Sequence, residues 1–407
     1  MKICDLTQFY SPFSGGVKRY LHEKIAYIQH ATEHEHLLII PEAKTKCVSQ
    51  ARSTVCSIKS PLVSRAGRYR VLLNLRALER VLKREQPDLI ESGDPYQIGW
   101  RAIRVGKKLN VPVIGFYHSH FAEAHVRGAA RVLGRKAGER LMDFAQRYVR
   151  KLYNSFAATV VPSEPLGRVL RAWGVNNVRV VSLGVDTDTF SSEPDDRFAT
   201  RARLGIAGSR RVLLYVGRLS KEKNTTLLCR AFEILEGTAP GQFHLIVIGD
   251  GAQRRQMQEL RTRNPNVSWR RYCAQPAELA RFYRAADLFV HPGTQETFGL
   301  VALESQACGT PVIGIRGSCM DEAILHDQSW WAAEETPESL AQAIADSCKV
   351  DSRSLGNAAR HAVCEKFSWN RVFERLFYIY EEVCSKYQEE NGSPAHPSLQ
   401  HSALSAQ

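Results

Sequence analysis

The sequence predicts an α/β protein built from two doubly wound, Rossmann-like domains. Three observations carry that expectation. Short β-branched runs alternate with longer helical stretches almost from end to end. Runs such as LLYVG, LIVIG and PVIGI are apolar throughout, as parallel strands covered by helices on both faces must be. The 407 residues also exceed what a single hydrophobic core serves.

In the first half, strands are expected at Lys2–Leu6, Leu37–Ile40, Asp88–Glu91, Val111–Phe116, Ala157–Val161 and Val178–Ser182. A helix over Val17–Gln29 follows the first of them. The polar stretch Asp186–Arg201 marks the boundary, giving a first domain over 1–190 and a second over 191–367. Strands of the second domain are expected at Arg211–Val216, Phe243–Ile248, Val267–Tyr272, Asp287–His291 and Pro311–Ile315. The run FSWNRVFERLFYIYEEV reads as an amphipathic helix, about 368–388, that packs back on the first domain. Residues 389–407, rich in Pro, Ser, Gln and Gly, read as a disordered tail.

Composition narrows the function classes. Hydrophobic residues make up 44% and charged residues 24%, which is ordinary for a globular chain. No apolar run reaches the roughly 18 residues needed to span a bilayer, and the first residues lack a secretory pattern, so an integral or exported protein is not expected. The ten cysteines form no C-x-x-C or Cys/His cluster, which suits reduced thiols in a cytoplasmic protein. A net charge of +13 draws the chain towards polyanions. Without a helix-turn-helix, zinc-finger or RRM signature, nucleic acid ranks last among them.

Ligands of open α/β sheets bind outside the carboxyl ends of the strands, so the turns that follow strands carry the site. Ser14-Gly15-Gly16 precedes a helix N-terminus, where paired glycines admit a ligand close to the backbone; a plain tight turn is the alternative. Gly217-Arg218-Leu219-Ser220-Lys221-Glu222-Lys223-Asn224 sets cations beside a glycine at a strand end, a clamp for a diphosphate or else a solvated loop. Gly249-Asp250-Gly251 holds only part of a dinucleotide fingerprint, because position 254 is Arg. In HPGTQETFGLVALESQACGTPVIG, Thr297 is a helix cap, Gly309 ends the helix and Pro311 blocks its continuation. Phe298, Gly299 and Leu300 would then offer free amides at the helix start. Glu296 lies just before that start and Glu304 about two turns inside, where a carboxylate among apolar residues needs a partner or a ligand.

Together these residues resemble the retaining glycosyltransferases of family 4 (glycosyl transferases group 1). The resemblance rests on Gly15–Val17, on Leu183–Phe190, and on Gly217-Arg218-Leu219 with Glu222-Lys223. It continues through Gly249–Gly251, the carboxylate pair Glu296 and Glu304 with seven residues between them, Ala307–Val312, and FSW before the last helix. It implies the GT-B fold, two Rossmann-like domains facing across a cleft. It also implies transfer of a sugar from a UDP- or GDP-sugar to a hydroxyl acceptor, lipid-linked or a cell-surface glycan precursor, with retention of configuration.

By the same resemblance, Arg218, Lys223, Glu296 and His118 are the catalytic residues. Gly15, Gly16, Gly217, Gly249, Tyr272, Cys273, Phe298, Gly299, Leu300 and Glu304 hold the donor. Arg218 and Lys223 would neutralise the leaving diphosphate, Glu304 the ribose hydroxyls, and Glu296 those of the donor sugar. Tyr272 and Cys273 would enclose the base, and His118, which with His120 follows a strand, would lie by the donor sugar. Asp186-Thr187-Asp188 spells D-x-D but falls in the interdomain stretch, so no metal and no cofactor are expected. The loop His326–Trp331 departs from the family form. A sugar-nucleotide epimerase on the same fold and a non-catalytic nucleotide-sugar binder are the alternatives.

The basic residues concentrate in the first half. Between Arg127 and Lys151 stand eight bases against Glu139 and Asp143, and Arg65–Arg84 adds seven against Glu79. Leu141, Phe144, Tyr148 and Leu152 fall on one helical side there, with Arg140, Arg147, Arg150 and Lys151 on another. The pattern predicts a helix lying on an anionic membrane surface, peripheral on the inner face of the cytoplasmic membrane, or one packed on its own sheet.

Overall fold

A computed structural model of the chain describes residues 1–10, 16–64, 69–118, 134–193, 196–294, 298–317 and 320–391. It divides into two compact units, Met1–Ser182 with Val372–Gln407, and Leu183–Arg371. The sheet of the first unit contains β1 (Lys2–Leu6), β2 (Glu35–Glu42), β3 (Lys46–Gln50) and β4 (Ser53–Lys59). After a separate two-stranded ribbon, β5 (Leu62–Ser64) with β6 (Tyr69–Arg70), it continues with β7 (Leu89–Ser92), β8 (Val113–Phe116), β9 (Ala158–Val161) and β10 (Val178–Val180). The spatial order is β10-β9-β8-β7-β1-β2-β4-β3, parallel except where β3 turns back on β4. Helices α1 (Gly16–Ala31), α2 (Leu75–Glu85), α3 (Gln97–Leu109), α4 (Arg135–Tyr153) and α5 (Glu164–Ala172) connect these strands.

The second unit repeats the plan with α6 (Arg197–Arg203) and strands β11 (Arg211–Val216), β12 (Phe243–Ile248), β13 (Val267–Arg270), β14 (Leu288–His291) and β15 (Val312–Gly314). They are parallel in the order β13-β12-β11-β14-β15. Between them run α7 (Thr225–Thr238), α8 (Arg254–Arg263), α9 (Pro276–Ala285) and α10 (Leu300–Ala307). Helices α11 (Pro337–Asp346), α12 (Ser352–Phe367) and α13 (Trp369–Asn391) follow among the described residues. In each sheet the strand order reverses once, between β1 and β7 and between β11 and β14. Those reversals open a crevice at the strands' carboxyl ends, because the flanking connections leave on opposite faces.

Several boundaries differ from the expected ones. Residues 183–190 belong to the second core: the Val185 amide donates to Phe367 O at 2.8 Å, and the buried Phe190 ring lies 6.0 Å from that of Tyr283. The polar composition of this stretch therefore marks an Asx turn, not the start of a linker. The hairpin β3–β4 was not expected, because its outer strand is exposed along its whole length and lacks an apolar run. That hairpin sets Cys47 opposite Cys56, and the two form a disulfide, against the expectation of reduced thiols. Helix α13 runs to Asn391, three residues into the expected tail, closed by the Asn391 side chain on Tyr387 O at 2.8 Å. The rest of the expected tail lies outside the described residues.

Helix α4 uses its apolar side in two ways. Val149, Leu152 and Tyr153 are buried on the sheet and the Tyr148 hydroxyl donates to Pro95 O at 2.7 Å. Phe144, expected on the same side, is 61% exposed.

The first unit is cross-linked by a buried charge. Lys24 of α1 is 0% exposed, its ammonium 2.8 Å from Asp5 of β1 and 3.4 Å from Glu91 of β7. It also donates to the Tyr380 hydroxyl of α13 at 2.6 Å, and that hydroxyl donates to Glu91. His36 of β2 meets Asp5 at 2.6 Å, and the Tyr20 hydroxyl donates to Glu91 at 3.1 Å. Burial pushes both carboxyls up; at Asp5 the Lys24 ammonium and His36 outweigh it and hold the group below its ordinary range, whereas Glu91 stays raised. Removing the cation leaves two buried carboxylates without their counter-charge. Lys24→Ala is expected to lower the unfolding free energy by about 3–5 kcal/mol, read by urea denaturation.

Candidate active site

In the second unit, the chain leaving β11 makes the turn Gly217–Ser220 and a single 3-10 turn, Lys221–Lys223. Asn224, at φ +51°, then starts α7. The turn is fixed by backbone bonds to its neighbour: the Gly217 amide donates to Ile248 O and the Leu219 amide to Asp250 O, each at 3.0 Å. These contacts explain the glycines of Gly249-Asp250-Gly251. A Cβ at position 249 would stand 1.8 Å from Gly217 O, and one at 251 would stand 2.3 Å from Leu219 O. The two turns pack backbone to backbone. The Tyr215 hydroxyl donates to Arg218 O at 2.9 Å, leaving the Arg218 side chain 69% exposed with Glu222 3.4 Å away.

The second turn of the crevice follows β14. The Asn224 side chain donates to Pro292 O at 3.1 Å, and a Cβ on Gly293 would lie 3.4 Å from Lys223 Cα. Lys223 is thus held against the loop leading to α10. That helix begins at Leu300, with Gly299 at its cap in the left-handed region, φ +88°. The expected cap Thr297 lies outside the described residues, as do Glu296, Gly15 and His120. Within the first turn of α10 the Ala302 amide is taken by Gly299 O at 2.9 Å. The Phe298 side chain is core, its ring 5.8 Å from that of Phe367. Glu304 is 2% exposed and accepts the Tyr283 hydroxyl at 2.9 Å, which holds the buried carboxyl in place.

After β13 the strand ends at Arg270, two residues before the expected end. Tyr272 stands 64% exposed and Cys273 turns its thiol towards Glu278. Burial and the Glu278 carboxylate raise the thiol's pKa. Asp250 is held by Arg254 at 2.7 Å and Arg271 at 2.8 Å, giving the adjoining rim two tethered guanidinium groups. Asp186 of the D-x-D sequence accepts the amides of Asp188 and Thr189, a turn-forming role. Among the described residues no three His, Cys, Asp or Glu side chains form a metal-binding group. The unusual loop at His326 caps the sheet edge: the Val312 amide donates to His326 Nε2 at 3.1 Å, and Trp331 Nε1 donates to Val312 O at 3.0 Å.

In the first unit, Gly16 is the first residue of α1. His118 lies two residues beyond β8 with Nε2 2.8 Å from Gly93 O, so Nε2 carries the proton. Burial lowers its pKa, which keeps the ring neutral with Nδ1 as acceptor. Reading by motif missed Gln8, Ser92 and Asp94, which stand at the ends of β1 and β7. The carboxyl-end rule applied to the run ESGD would have found two of them.

The comparisons agree with one another. Residues 196–361 match the family model described as Glycosyl transferases group 1, and residues 14–189 match Glycosyltransferase Family 4. The chain is 30% identical over 376 residues to a GDP-mannose-dependent alpha-(1-6)-phosphatidylinositol dimannoside mannosyltransferase of Mycobacterium tuberculosis, covering 91% of this chain and 94% of that one. Its fold is similar to that of Anabaena Alr3699/HepE, solved with UDP and glucose, at a TM-score of 0.71 and 18% identity over 93% and 99% of the two chains. It is likewise similar to sucrose-phosphate synthase from Thermosynechococcus elongatus, at a TM-score of 0.74 and 18% identity over 95% and 99%.

The Gly217–Gly249 contact gives a direct check. Gly249→Ala is expected to push the Arg218 turn away and lower turnover at least about tenfold, with wild-type circular dichroism in the far ultraviolet.

Proposed function

From its membership of the family 4 glycosyltransferases, with the GT-B fold, we propose that the chain transfers a sugar from a nucleotide-sugar to a hydroxyl acceptor with retention of configuration and without a metal ion. The observation that carries this reading is the pairing of two turns at the β11/β14 reversal, where the turn bearing Arg218 and Lys223 lies against Pro292 and Gly293, on the loop that leads to α10. Cations there suit a diphosphate, and they stabilise it most as the leaving group gains charge. Arg218, exposed and loosely paired, offers its guanidinium fork, while Lys223 is placed by its backbone contact. Glu304 presents its carboxylate to the ribose, Glu296 serves the donor sugar, and the leaving phosphate takes the acceptor's proton. Gly15 and Gly16 bring backbone towards the donor, and neutral His118 accepts a hydroxyl of the donor sugar through Nδ1.

The similar mycobacterial protein uses GDP-mannose, so GDP-mannose heads the donors to test and inositol-based or lipid-linked hydroxyls head the acceptors. The reading places the enzyme in the cytoplasm, peripheral on an anionic membrane. Exposed Phe144 between Arg140 and Arg147 gives α4 an apolar point with basic flanks.

Product release from GDP-mannose and UDP-sugars with inositol-based acceptors tests the activity. Anomer-retaining transfer unaffected by EDTA is expected, with Arg218→Ala lowering kcat about 100-fold or more and His118→Ala lowering turnover while nucleotide binding persists. An inverted product, or abolition by the chelator, would refute the corresponding part. In vesicle sedimentation, the chain is expected to favour anionic over neutral lipid, with Phe144→Glu reducing the bound fraction; equal binding to both lipids retires the membrane reading.

A further inference from the structure

We propose that Gln8, Ser92 and Asp94, at the carboxyl ends of β1 and β7, form a clamp for the hydroxyl groups of an uncharged polyol ring, which is the acceptor of the transfer. This rests on the transferase reading and names the chemistry of its second substrate.

Gln8, Ser92 and Asp94 are 7%, 1% and 1% exposed, and Gln8 Oε1, Ser92 Oγ and Asp94 Oδ2 have no hydrogen-bond partner. Native proteins seldom leave such atoms unpaired, because each forfeits its bond to water. The three atoms are grouped by topology. Leu6 pairs with Ser92, so Gln8 and Asp94, each two residues further on, emerge at matching positions of neighbouring strand ends. They do so at the reversal of strand order, where a ligand crevice opens.

The chemistry of the atoms selects the ligand. A carbonyl oxygen and a carboxylate oxygen only accept, and a serine hydroxyl does both. Their complement is a set of hydroxyl donors in a row, as on a pyranose or cyclitol ring. An anion such as phosphate is disfavoured by the Asp94 charge. Phe9 adds an apolar wall, its ring 6.3 Å from that of Tyr96 and edge-on to His118 at 5.5 Å. Such a ring suits the C–H face of a sugar. Asp94 is also anchored, with Oδ1 accepting the Tyr96 amide at 2.8 Å and Oδ2 left for a ligand.

Titration supplies a signature. Burial raises the Asp94 carboxyl to about 7, outweighing the Tyr96 amide that donates to it. The titratable groups that feel it among the described residues are the phenols of Tyr96 on the α3 side and of Tyr148 and Tyr153 on α4, while the neutral His118 ring stands on Gly93. A ligand hydroxyl donating to Oδ2 favours the ionised form, so binding releases a proton and strengthens as pH rises. The same raised pKa makes Asp94 stabilising below the unfolded value, with that contribution lost as pH rises through about 7. A purely structural residue would not combine these two trends.

The test titrates the whole chain with myo-inositol and with methyl α-D-mannopyranoside by calorimetry at pH 6 and pH 8, with inorganic phosphate as the anionic control. At least one polyol is expected to bind about tenfold more tightly at pH 8, with no competition from phosphate. Asp94→Asn is expected to weaken binding tenfold or more, erase the pH dependence and melt higher than wild type at pH 8. Gln8→Leu, which leaves the carboxylate in place, is expected to weaken binding and keep the pH dependence. Absence of binding by both polyols, unchanged binding in Asp94→Asn, or displacement by phosphate overturns the clamp. Thermal stabilisation by GDP and UDP in the same samples reports separately on the donor site. Retained stabilisation with a failed clamp leaves the transferase reading standing.

Discussion

A lysine ammonium with no access to water organises the first unit. Lys24 is shared by Asp5 on β1, Glu91 on β7 and Tyr380 on the last helix, and His36 of β2 joins through Asp5. Taking these charges out of water costs several kcal/mol per ion, and only the full set of partners offsets that cost. The arrangement therefore tolerates one register of the two central strands and one seat for α13. Because Gln8 and Asp94 stand three residues beyond Asp5 and Glu91, the same interaction fixes where the polar ends of those strands emerge.

The second unit positions its strand-end turn through the backbone. Its Arg218 turn is seated by amide-to-carbonyl bonds and by glycines that leave no room for a side chain. The cations then stand on an immobile backbone, which is what preorganised stabilisation of a leaving group requires. Away from the crevice, Asp287 takes Arg197, Arg201 and the Val212 amide, tying α6 to the first strand of the sheet.

Two buried acids show how partnering separates roles. Glu304 has a phenol at 2.9 Å, and its helix is packed on both sides, so its position is set before any ligand arrives. Asp94 has one oxygen paired and the other unpaired, and burial holds its pKa near neutrality. The first is held in place by its phenol; the second carries an unmet valence that a substrate can fill.

Apolar runs made the parallel strands of both sheets legible apart from β4, because a parallel strand buried on two faces has few other compositions open to it. The turn Gly217–Lys223 and the glycine at the α10 start were equally legible, because each lies within a short, contiguous stretch whose chemistry is local. Long-range partnering was not legible. Nothing in the spacing of Cys47 and Cys56, of Lys24 and Tyr380, or of Gln8 and Asp94 announces their meeting, since each pair is brought together by strand register, hairpin pairing or the return of the last helix. The strand edge at His326 and the second-core role of Val185 and Phe190 belong to the same class. Sequence by itself determined what each segment is; the tertiary structure alone decided which buried polar groups are satisfied, because satisfaction depends on neighbours far along the chain.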